Sequence, residues 1–167
     1  MSSTKIEVEI RAYAPRNIIQ KLQQIGAKKI AESSQRDEYY LFKEGFIFRI
    51  RNNQTFTIKA NVDNRDNGWY EWESDVKNTK GLSKILLQCG FKLFGVVAKN
   101  RIKYEFQDIE INIDKVRGLG NFIEVELLAL NKDQGLKIIK SFLYSLGIKK
   151  LIHKGYINIM RDKDKNK

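Results

Sequence analysis

Charged side chains recur at a spacing of two residues, and these are the residue types in this sequence that could bind metal ions or phosphate. The first set is Glu7, Glu9 and Arg11, which alternates with isoleucine and valine. Successive side chains of a β-strand point to opposite faces of the sheet. The pattern therefore predicts a strand with one apolar face and one face that carries two carboxylates and a guanidinium.

The same spacing recurs further along the chain, with acidic and basic residues segregated into different predicted strands. The acidic pairs are Glu7/Glu9, Glu71/Glu73 and Glu124/Glu126, and the basic residues are Arg49, Arg51, Lys59, Lys99 and Arg101. Carboxylates bind hard cations such as Mg²⁺ and Mn²⁺, and arginine and lysine bind phosphate oxygens. If the charged faces enclose one cavity, a metal–polyphosphate complex would neutralise both sets. The wet face of an ordinary antiparallel sheet, by contrast, needs no ligand.

The elements that must position these residues are short alternating strands and three amphipathic helices. Apolar residues at helical spacing, each run followed by glycine, predict helices over 15–25, 79–89 and 132–146. After the first strand, extended segments are predicted over 28–42, 46–51, 54–62, 69–77, 91–106, 108–117 and 121–130. A short segment over 154–160 is a further helix candidate. Short strands joined by turns favour an antiparallel sheet or barrel, with the helices covering its apolar outside.

Composition bounds the class of protein and of partner. A chain of 167 residues with 42% hydrophobic residues fits one domain with a substantial core. The net charge of +11 suggests an anionic partner, but the acidic pairs would repel a nucleic-acid backbone, so nucleic acid is not the expected ligand. No segment approaches the roughly 20 apolar residues of a membrane span. A single cysteine rules out an intrachain disulfide framework and favours the cytoplasm.

The ordered motifs resemble the CYTH superfamily, also called triphosphate tunnel metalloenzymes. This superfamily includes class IV adenylyl cyclases, thiamine triphosphatases and inorganic triphosphatases. Its N-terminal signature ExExK is matched by residues 7–11, with Arg11 in place of the usual lysine. Further motifs follow in family order: QRDEYY at 35–40, FRIR at 48–51, TIK at 57–59, EWE at 71–73, KNR at 99–101, ID at 113–114, GLG at 118–120, EVE at 124–126 and GY at 155–156.

This resemblance implies an α+β fold in which an eight-stranded antiparallel β-barrel forms a triphosphate tunnel with helices packed outside. Residues 1–160 would form the single tunnel domain, and the charged run 161–167 would be a disordered tail. The resemblance implies that Mg²⁺ or Mn²⁺ is held by Glu7, Glu9, Glu124 and Glu126. It implies that the triphosphate is gripped by Arg11, Arg49, Arg51, Lys59, Lys99 and Arg101, with Lys154 a further candidate at one tunnel mouth.

The candidate catalytic residues are the charged residues of the first strand, together with carboxylates elsewhere that could position a metal ion or water. They are Glu7, Glu9, Arg11, Glu71, Glu73 and Asp114. A guanidinium stays protonated in proteins, so Arg11 cannot act as the neutral base that a lysine could become.

The expected function is a metal-dependent triphosphatase that hydrolyses inorganic triphosphate or nucleoside and other organic triphosphates. An adenylyl cyclase that converts ATP to cyclic AMP and pyrophosphate is the alternative, and the absence of a base-reading motif favours hydrolysis. A polyphosphate- or nucleic-acid-binding module without turnover is a weaker alternative. Family analogy also makes a homodimer plausible, while the natural substrate and the preferred metal stay open.

Overall fold

The computed structural model describes residues 5–63 and 67–165. Within these ranges the chain forms eight strands and four helices. In chain order they are β1 (Ile6–Tyr13), α1 (Ile18–Gln24), β2 (Lys28–Leu41), β3 (Phe46–Arg51), β4 (Thr55–Asn61), β5 (Gly68–Asp75), α2 (Thr79–Gln88), β6 (Lys92–Phe106), β7 (Ile109–Val116), β8 (Gly120–Ala129), α3 (Lys132–Ser145) and α4 (Tyr156–Lys165).

The eight strands form one antiparallel sheet that closes on itself into a ring. The order around the ring is β1-β5-β4-β3-β2-β6-β7-β8, and β8 pairs again with β1. The predicted α+β class and the eight antiparallel strands are therefore confirmed. The β1–β5 seam is short, and the described residues paired along it are Glu7 with Trp69 and Val8 with Gly68. By contrast, β1 pairs with β8 along its whole length from Ile6 to Tyr13.

The main core lies between the outward face of the ring and the helices α1 and α3. Its fully buried members include Val8 and Ile10 of β1, Leu22 of α1, and Ile139 and Leu143 of α3. Burying an aliphatic side chain of this size stabilises the fold by about 1.5–3 kcal/mol. The outward apolar face of β1 is thus covered, which leaves the charged residues of this strand on the inward face.

The helix α4 packs against the inward-facing side at one end of the ring. Tyr156 and Ile157 join Val97, Val116 and Phe122 in a buried apolar cluster. A Cβ atom added to Gly95 of β6 would lie 2.6 Å from the Cδ1 atom of Ile157, so glycine allows this close approach. The first turn of α4 therefore borders the space enclosed by the strands.

The C-terminal segment differs from the sequence prediction. A short helix over 154–160 and a disordered tail over 161–167 were expected, but α4 continues to Lys165. Residues 166–167 lie outside the described part of the chain. Two contacts explain the extension. The Nζ atom of Lys163 donates to the carbonyl oxygen of Gly118 at 2.7 Å, and the Arg161 guanidinium lies 4.1 Å from the centroid of the Phe94 ring.

The predicted helix over 15–25 is also present but begins later, at Ile18. Pro15 instead belongs to a turn, in which its carbonyl oxygen accepts a hydrogen bond from the Ile18 amide. None of the helices in residues 5–63 and 67–165 has the length and apolar character needed to cross a bilayer.

Candidate active site

The inward faces of the strands line a cavity of about 860 Å³. Most of the residues that the sequence singled out come together there. Those that line the cavity are Glu7, Glu9, Arg11, Arg49, Arg51, Lys59, Glu71, Glu73, Lys99, Arg101, Glu124 and Glu126. The period of two along each strand was therefore sufficient to assign these side chains to one enclosed face.

Three carboxylates of β1 and β8 form a group that could hold a metal ion. One oxygen from each of Glu7, Glu9 and Glu126 lies within 4.8 Å of the others. Glu9 and Glu126 are directly opposite each other in the β1–β8 pairing. Burial raises the pKa of Glu7 to about 8, against the opposing effect of Lys59. Burial and the adjacent Glu124 raise the pKa of Glu126 well above its usual value. Clustered carboxylate oxygens are the donors that hard divalent cations prefer.

Glu124, the fourth predicted metal ligand, is bound mainly to cations. Its carboxylate forms ion pairs with the Nε atom of Arg11 and, at 2.5 Å, with the Nη2 atom of Arg101. Burial alone would raise the pKa of Glu124, but Arg11 and Arg101 outweigh it and hold this pKa well below its usual value. The structure thus brings Glu7, Glu9 and Glu126 together and places Glu124 between two arginines.

Lys59 of β4 lies among the acidic residues. Its Nζ atom is 2.5 Å from Glu7, 2.7 Å from Glu71 and 3.7 Å from Glu9. Burial opposes the charge on Lys59, but these three carboxylates together raise its pKa above the usual value. Lys59 therefore carries a positive charge throughout the neutral range.

Arg49 of β3 occupies the neighbouring part of the cavity wall. Its Nη2 atom donates to Thr57 at 3.0 Å and lies 3.5 Å and 3.4 Å from Glu71 and Glu73. The Nε atom of Arg49 is buried without a hydrogen-bond partner among the described residues. A buried unpaired donor costs about 1–3 kcal/mol, and more when charged, so this atom favours binding of an additional acceptor.

Asp114 is not among the residues that line the cavity. It is fully buried, and both of its carboxylate oxygens bind Arg101, at 2.7 Å from Nε and 2.6 Å from Nη2. It also accepts hydrogen bonds from the Tyr156 hydroxyl at 2.8 Å and from Lys99 at 3.2 Å. The sequence suggested that Asp114 positions a metal ion or water in the cavity. Its contacts are instead those of a residue behind the cavity wall that holds Arg101 and Lys99 in place.

Lys99 of β6 has an unusual environment for a lysine. Burial and the nearby positive charge of Arg101 lower its pKa to about 8, although Glu124 and Asp114 oppose the shift. The Nζ atom of Lys99 lies 5.1 Å from the centroid of the Tyr156 ring, and the Arg11 guanidinium lies 5.0 Å from it. Tyr156 of α4 is therefore in contact with two of the predicted phosphate-binding cations.

Lys154 lies apart from the cavity lining. Its side chain is 62% exposed, and its Nζ atom is 2.6 Å from Asp162 on α4. This placement does not match the predicted contact with a triphosphate. The prediction relied on the position of Lys154 near a matched motif, and no alternation of strand faces applied to it.

Several residues in or behind the cavity wall were not singled out as site residues from the sequence. Asp37 is fully buried and binds Arg51 at two points, and Tyr39 lies one position further along the same face of β2. Glu110 and His153 also line the cavity. Asp37 and Tyr39 lie within the motif at 35–40, and their spacing of two was the available signal.

A model of the CYTH domain matches residues 5–156. The chain belongs to the CYTH family. CYTH proteins are metal-dependent enzymes, cyclases or triphosphatases, that act on triphosphates. The group of Glu7, Glu9 and Glu126 fits such a metal ion, because it offers three hard oxygen donors within 4.8 Å.

The chain is also similar in sequence and fold to individual proteins. The CYTH chain is 29% identical over 170 residues to a Methanocaldococcus jannaschii protein named "Putative adenylate cyclase", and the match covers 93% of this chain and 97% of that protein. The solved PH1012 protein of Pyrococcus horikoshii is 29% identical with a TM-score of 0.83, covering 91% and 98% of the two chains. A Hippeastrum "putative adenylyl cyclase", described as having "a dominant" triphosphatase activity, shares the fold at 14% identity and a TM-score of 0.63, covering 95% and 96%.

Proposed function

We propose that this CYTH protein hydrolyses triphosphates in a charged tunnel enclosed by the ring, with Mg²⁺ or Mn²⁺ held by Glu7, Glu9 and Glu126. The observation that carries the proposal is the group of three carboxylates in the same cavity as buried cations. A buried charge is costly unless it is paired, and each of these sets is paired only in part within the protein. A divalent cation and a polyanion that bind together supply the missing partners for both.

The cations are suited to hold a chain of phosphates. Arg49, Arg51 and Lys59 lie on the adjacent strands β3 and β4, and Arg101 and Lys99 lie on β6. Arginine binds phosphate oxygens through two parallel N–H groups, and the buried Nε atom of Arg49 is unpaired within the described chain. We assign the terminal phosphates to the part of the cavity wall that carries these cations. Their fixed positive charges stabilise the charge that develops on the leaving phosphate.

The metal ion, when bound, supplies charge neutralisation and polarises the phosphate oxygens. The residues of the chain orient the phosphate-binding groups and supply positive charge. Asp114 and Asp37 orient Arg101 and Arg51 through two-point hydrogen bonds, so these guanidiniums need little reorganisation on binding. Arg11 retains its proton and contributes charge, since Glu124 and Glu9 raise its pKa further above the usual value against the effect of burial.

The test is release of orthophosphate from inorganic triphosphate and from ATP, each with Mg²⁺ or Mn²⁺ and with a chelator. Hydrolysis predicts metal-dependent orthophosphate and no cyclic AMP. The Arg49→Met variant is expected to raise the KM, because its Nε and Nη2 donors are lost from the cavity wall. Binding of triphosphate without any turnover would contradict the proposal and favour a binding module.

Adenylate cyclase activity is the second candidate, because the 29% identical archaeal relative carries that name. The same cavity would hold the triphosphate of ATP, and the ribose 3′-hydroxyl would replace water as the attacking group. The same incubation separates the two reactions. Cyclic AMP with pyrophosphate, and no orthophosphate from inorganic triphosphate, would favour the cyclase.

A further inference from the structure

His153 is the only histidine of the chain, and the fold fixes it beside β1. The preceding residue, Ile152, forms two backbone hydrogen bonds with Arg11. The Arg11 amide donates to the Ile152 carbonyl at 3.2 Å, and the Ile152 amide donates to the Arg11 carbonyl at 2.7 Å. His153 itself lines the same cavity as Glu7 and Glu9. The segment before α4 thus extends the short β1–β5 seam and brings an imidazole to the cavity.

Asn67 connects this histidine to the backbone of Glu9. Asn67 is buried, and its φ angle of 78° places it in the left-handed region, which asparagine tolerates better than most residues. Its Nδ2 atom donates to the Glu9 carbonyl at 2.7 Å, and its own carbonyl accepts from the Glu9 amide at 3.2 Å. Because the Glu9 carbonyl can only accept, the amide nitrogen of Asn67 must face it, and Oδ1 must face His153.

This orientation decides which nitrogen of His153 carries the proton. The Nδ1 atom lies 2.6 Å from Oδ1 of Asn67, and an amide oxygen can only accept. Nδ1 is therefore the donor, and in the neutral ring Nε2 is left with a lone pair. When Nε2 takes up a proton, Nδ1 still donates to Asn67. The ring can thus gain and lose a proton without losing the contact that positions it.

Two other candidates for a base at this site, Arg11 and Lys59, are unsuitable. Arg11 stays protonated, and the carboxylates around Lys59 keep that lysine protonated in the neutral range. Glu7 and Glu9 are assigned to the metal ion. Imidazole is the side chain that most often transfers a proton to or from a reacting group. The charged groups that share the cavity with His153 are Glu7, Glu9 and Arg11 of β1, Lys43 and Glu44 of the β2–β3 turn, Arg49 and Arg51 of β3, Lys59 of β4, Glu71 and Glu73 of β5, Lys99 and Arg101 of β6, Glu110 of β7, and Glu124 and Glu126 of β8.

We propose that Nε2 of His153 is the general base that takes a proton from the attacking water, an inference that rests on the hydrolysis proposed above. As the proton moves to Nε2, the water oxygen forms a bond to the terminal phosphorus. The bond from that phosphorus to the bridging oxygen breaks, and its electron pair stays on the leaving phosphate chain. The imidazolium then returns its proton to solvent or to the released phosphate, which restores the neutral ring.

The matched variant is His153→Asn, because the asparagine amide nitrogen can occupy the place of Nδ1 and donate to Asn67 but offers no base. We expect kcat to fall on the order of 100-fold, the usual range for loss of a general base, with thermal stability and Mn²⁺ affinity unchanged. The pH–rate profiles of wild type and His153→Asn should differ in shape, because the variant has no imidazole to take up the proton. Lys150→Met, which changes an exposed lysine outside the cavity lining, should keep the wild-type rate and profile.

A readout that does not depend on activity is ¹⁵N NMR of histidine-labelled, metal-free protein, where a single histidine makes the assignment unambiguous. The neutral ring should carry its proton on Nδ1, and Asn67→Ala should abolish that preference. A ring protonated on Nε2 in the wild type, or a His153→Asn variant with wild-type kcat and pH profile, overturns the role of His153 alone. A wild-type protein that hydrolyses no triphosphate overturns the proposed function, and this inference with it.

Discussion

Asp37 and Arg51 are directly opposite each other on β2 and β3 and form a two-point ion pair on the inward face of the ring. Nε and Nη2 of Arg51 donate to the two carboxylate oxygens of Asp37 at 2.7 Å and 2.9 Å. Asp37 is fully buried, whereas the Arg51 side chain is 19% exposed. The carboxylate therefore fixes one edge of the guanidinium and leaves the rest of it at the cavity surface.

The variant Asp37→Asn is expected to weaken triphosphate binding through Arg51. An amide keeps the shape but not the charge, so Arg51 loses its orientation and the KM should rise about 10-fold with a smaller change in kcat. Loss of one member of a buried ion pair should also lower the unfolding free energy by about 3 kcal/mol. Kinetics and chemical denaturation measure both effects, and Asp108→Asn in the exposed β6–β7 turn is the control.

The pH dependence of that stability loss has a definite sign. Burial raises the pKa of Asp37, but hydrogen bonding to Arg51 and the charge of Arg49 outweigh burial and lower it. A carboxyl group with a depressed pKa in the folded state stabilises the fold above its unfolded pKa of about 3.9. The difference between wild type and Asp37→Asn should therefore be constant from neutral pH to about pH 5 and shrink below about pH 4. A difference that grows in acid would contradict this assignment.

Glu124 and Glu126 should respond differently to the same substitution by glutamine. Glu124 binds Arg11 and Arg101, so Glu124→Gln should lower the melting temperature markedly. Burial and the adjacent Glu124 raise the pKa of Glu126 and so disfavour its charged form in the metal-free protein, and Glu126→Gln should therefore cost less stability than Glu124→Gln. Glu126→Gln should instead lower Mn²⁺ affinity by at least about 10-fold, since losing a partner of a metal ligand already costs that much. Calorimetry measures both effects. Equal losses of stability in Glu124→Gln and Glu126→Gln would contradict the assignment of Glu124 to the arginines and of Glu126 to the metal ion.

Lys99 makes triphosphate affinity dependent on pH in the alkaline range. Its pKa of about 8 means that the cavity loses a positive charge as the pH rises through that value. The dissociation constant for a triphosphate should therefore increase above about pH 8 in the wild type. In Lys99→Arg the increase should disappear, because a guanidinium stays protonated. Lys59→Arg is the matched control, since the raised pKa of Lys59 keeps it charged and the wild-type pH dependence should persist.

The variant Asp114→Asn tests whether this residue supports the cations or takes part in metal binding. The contacts with Arg101, Lys99 and Tyr156 predict a lower melting temperature and a higher KM for triphosphate. Mn²⁺ affinity in the absence of triphosphate should be unchanged, because Asp114 does not line the cavity. If calorimetry instead shows lost metal affinity in a variant of unchanged stability, Asp114 acts on the metal or its water.

Alternation along single strands was enough to predict the inward residues but not their partners. Glu7, Glu9, Arg49 and Arg51 were assigned to one face because a period of two is a local property of the strand. The division between Glu124 and the group of Glu7, Glu9 and Glu126 depends on the β1–β8 register and on where the arginine side chains lie. Neither follows from the sequence of one strand.

The features that were missed depend on long-range contacts. Asn67 and His153 are 86 positions apart in sequence, so no local pattern predicts their hydrogen bond. The extension of α4 to Lys165 likewise depends on contacts with Gly118 and Phe94, which a charge run does not reveal. Lys154 was placed near the site by proximity in sequence, but its Nζ atom pairs with Asp162 of α4 and its side chain is exposed.

The most direct test of the account is the rate of orthophosphate release from inorganic triphosphate at saturating Mn²⁺ by wild type, Glu9→Ala and Glu32→Gln. Glu32 is the control because its side chain is 61% exposed and pairs with Lys29 outside the cavity. If the carboxylates bind the metal ion beside the phosphate-binding cations, the rate of orthophosphate release should fall on the order of 100-fold or more in Glu9→Ala and stay unchanged in Glu32→Gln. A Glu9→Ala protein that folds and releases phosphate at close to the wild-type rate would contradict the account.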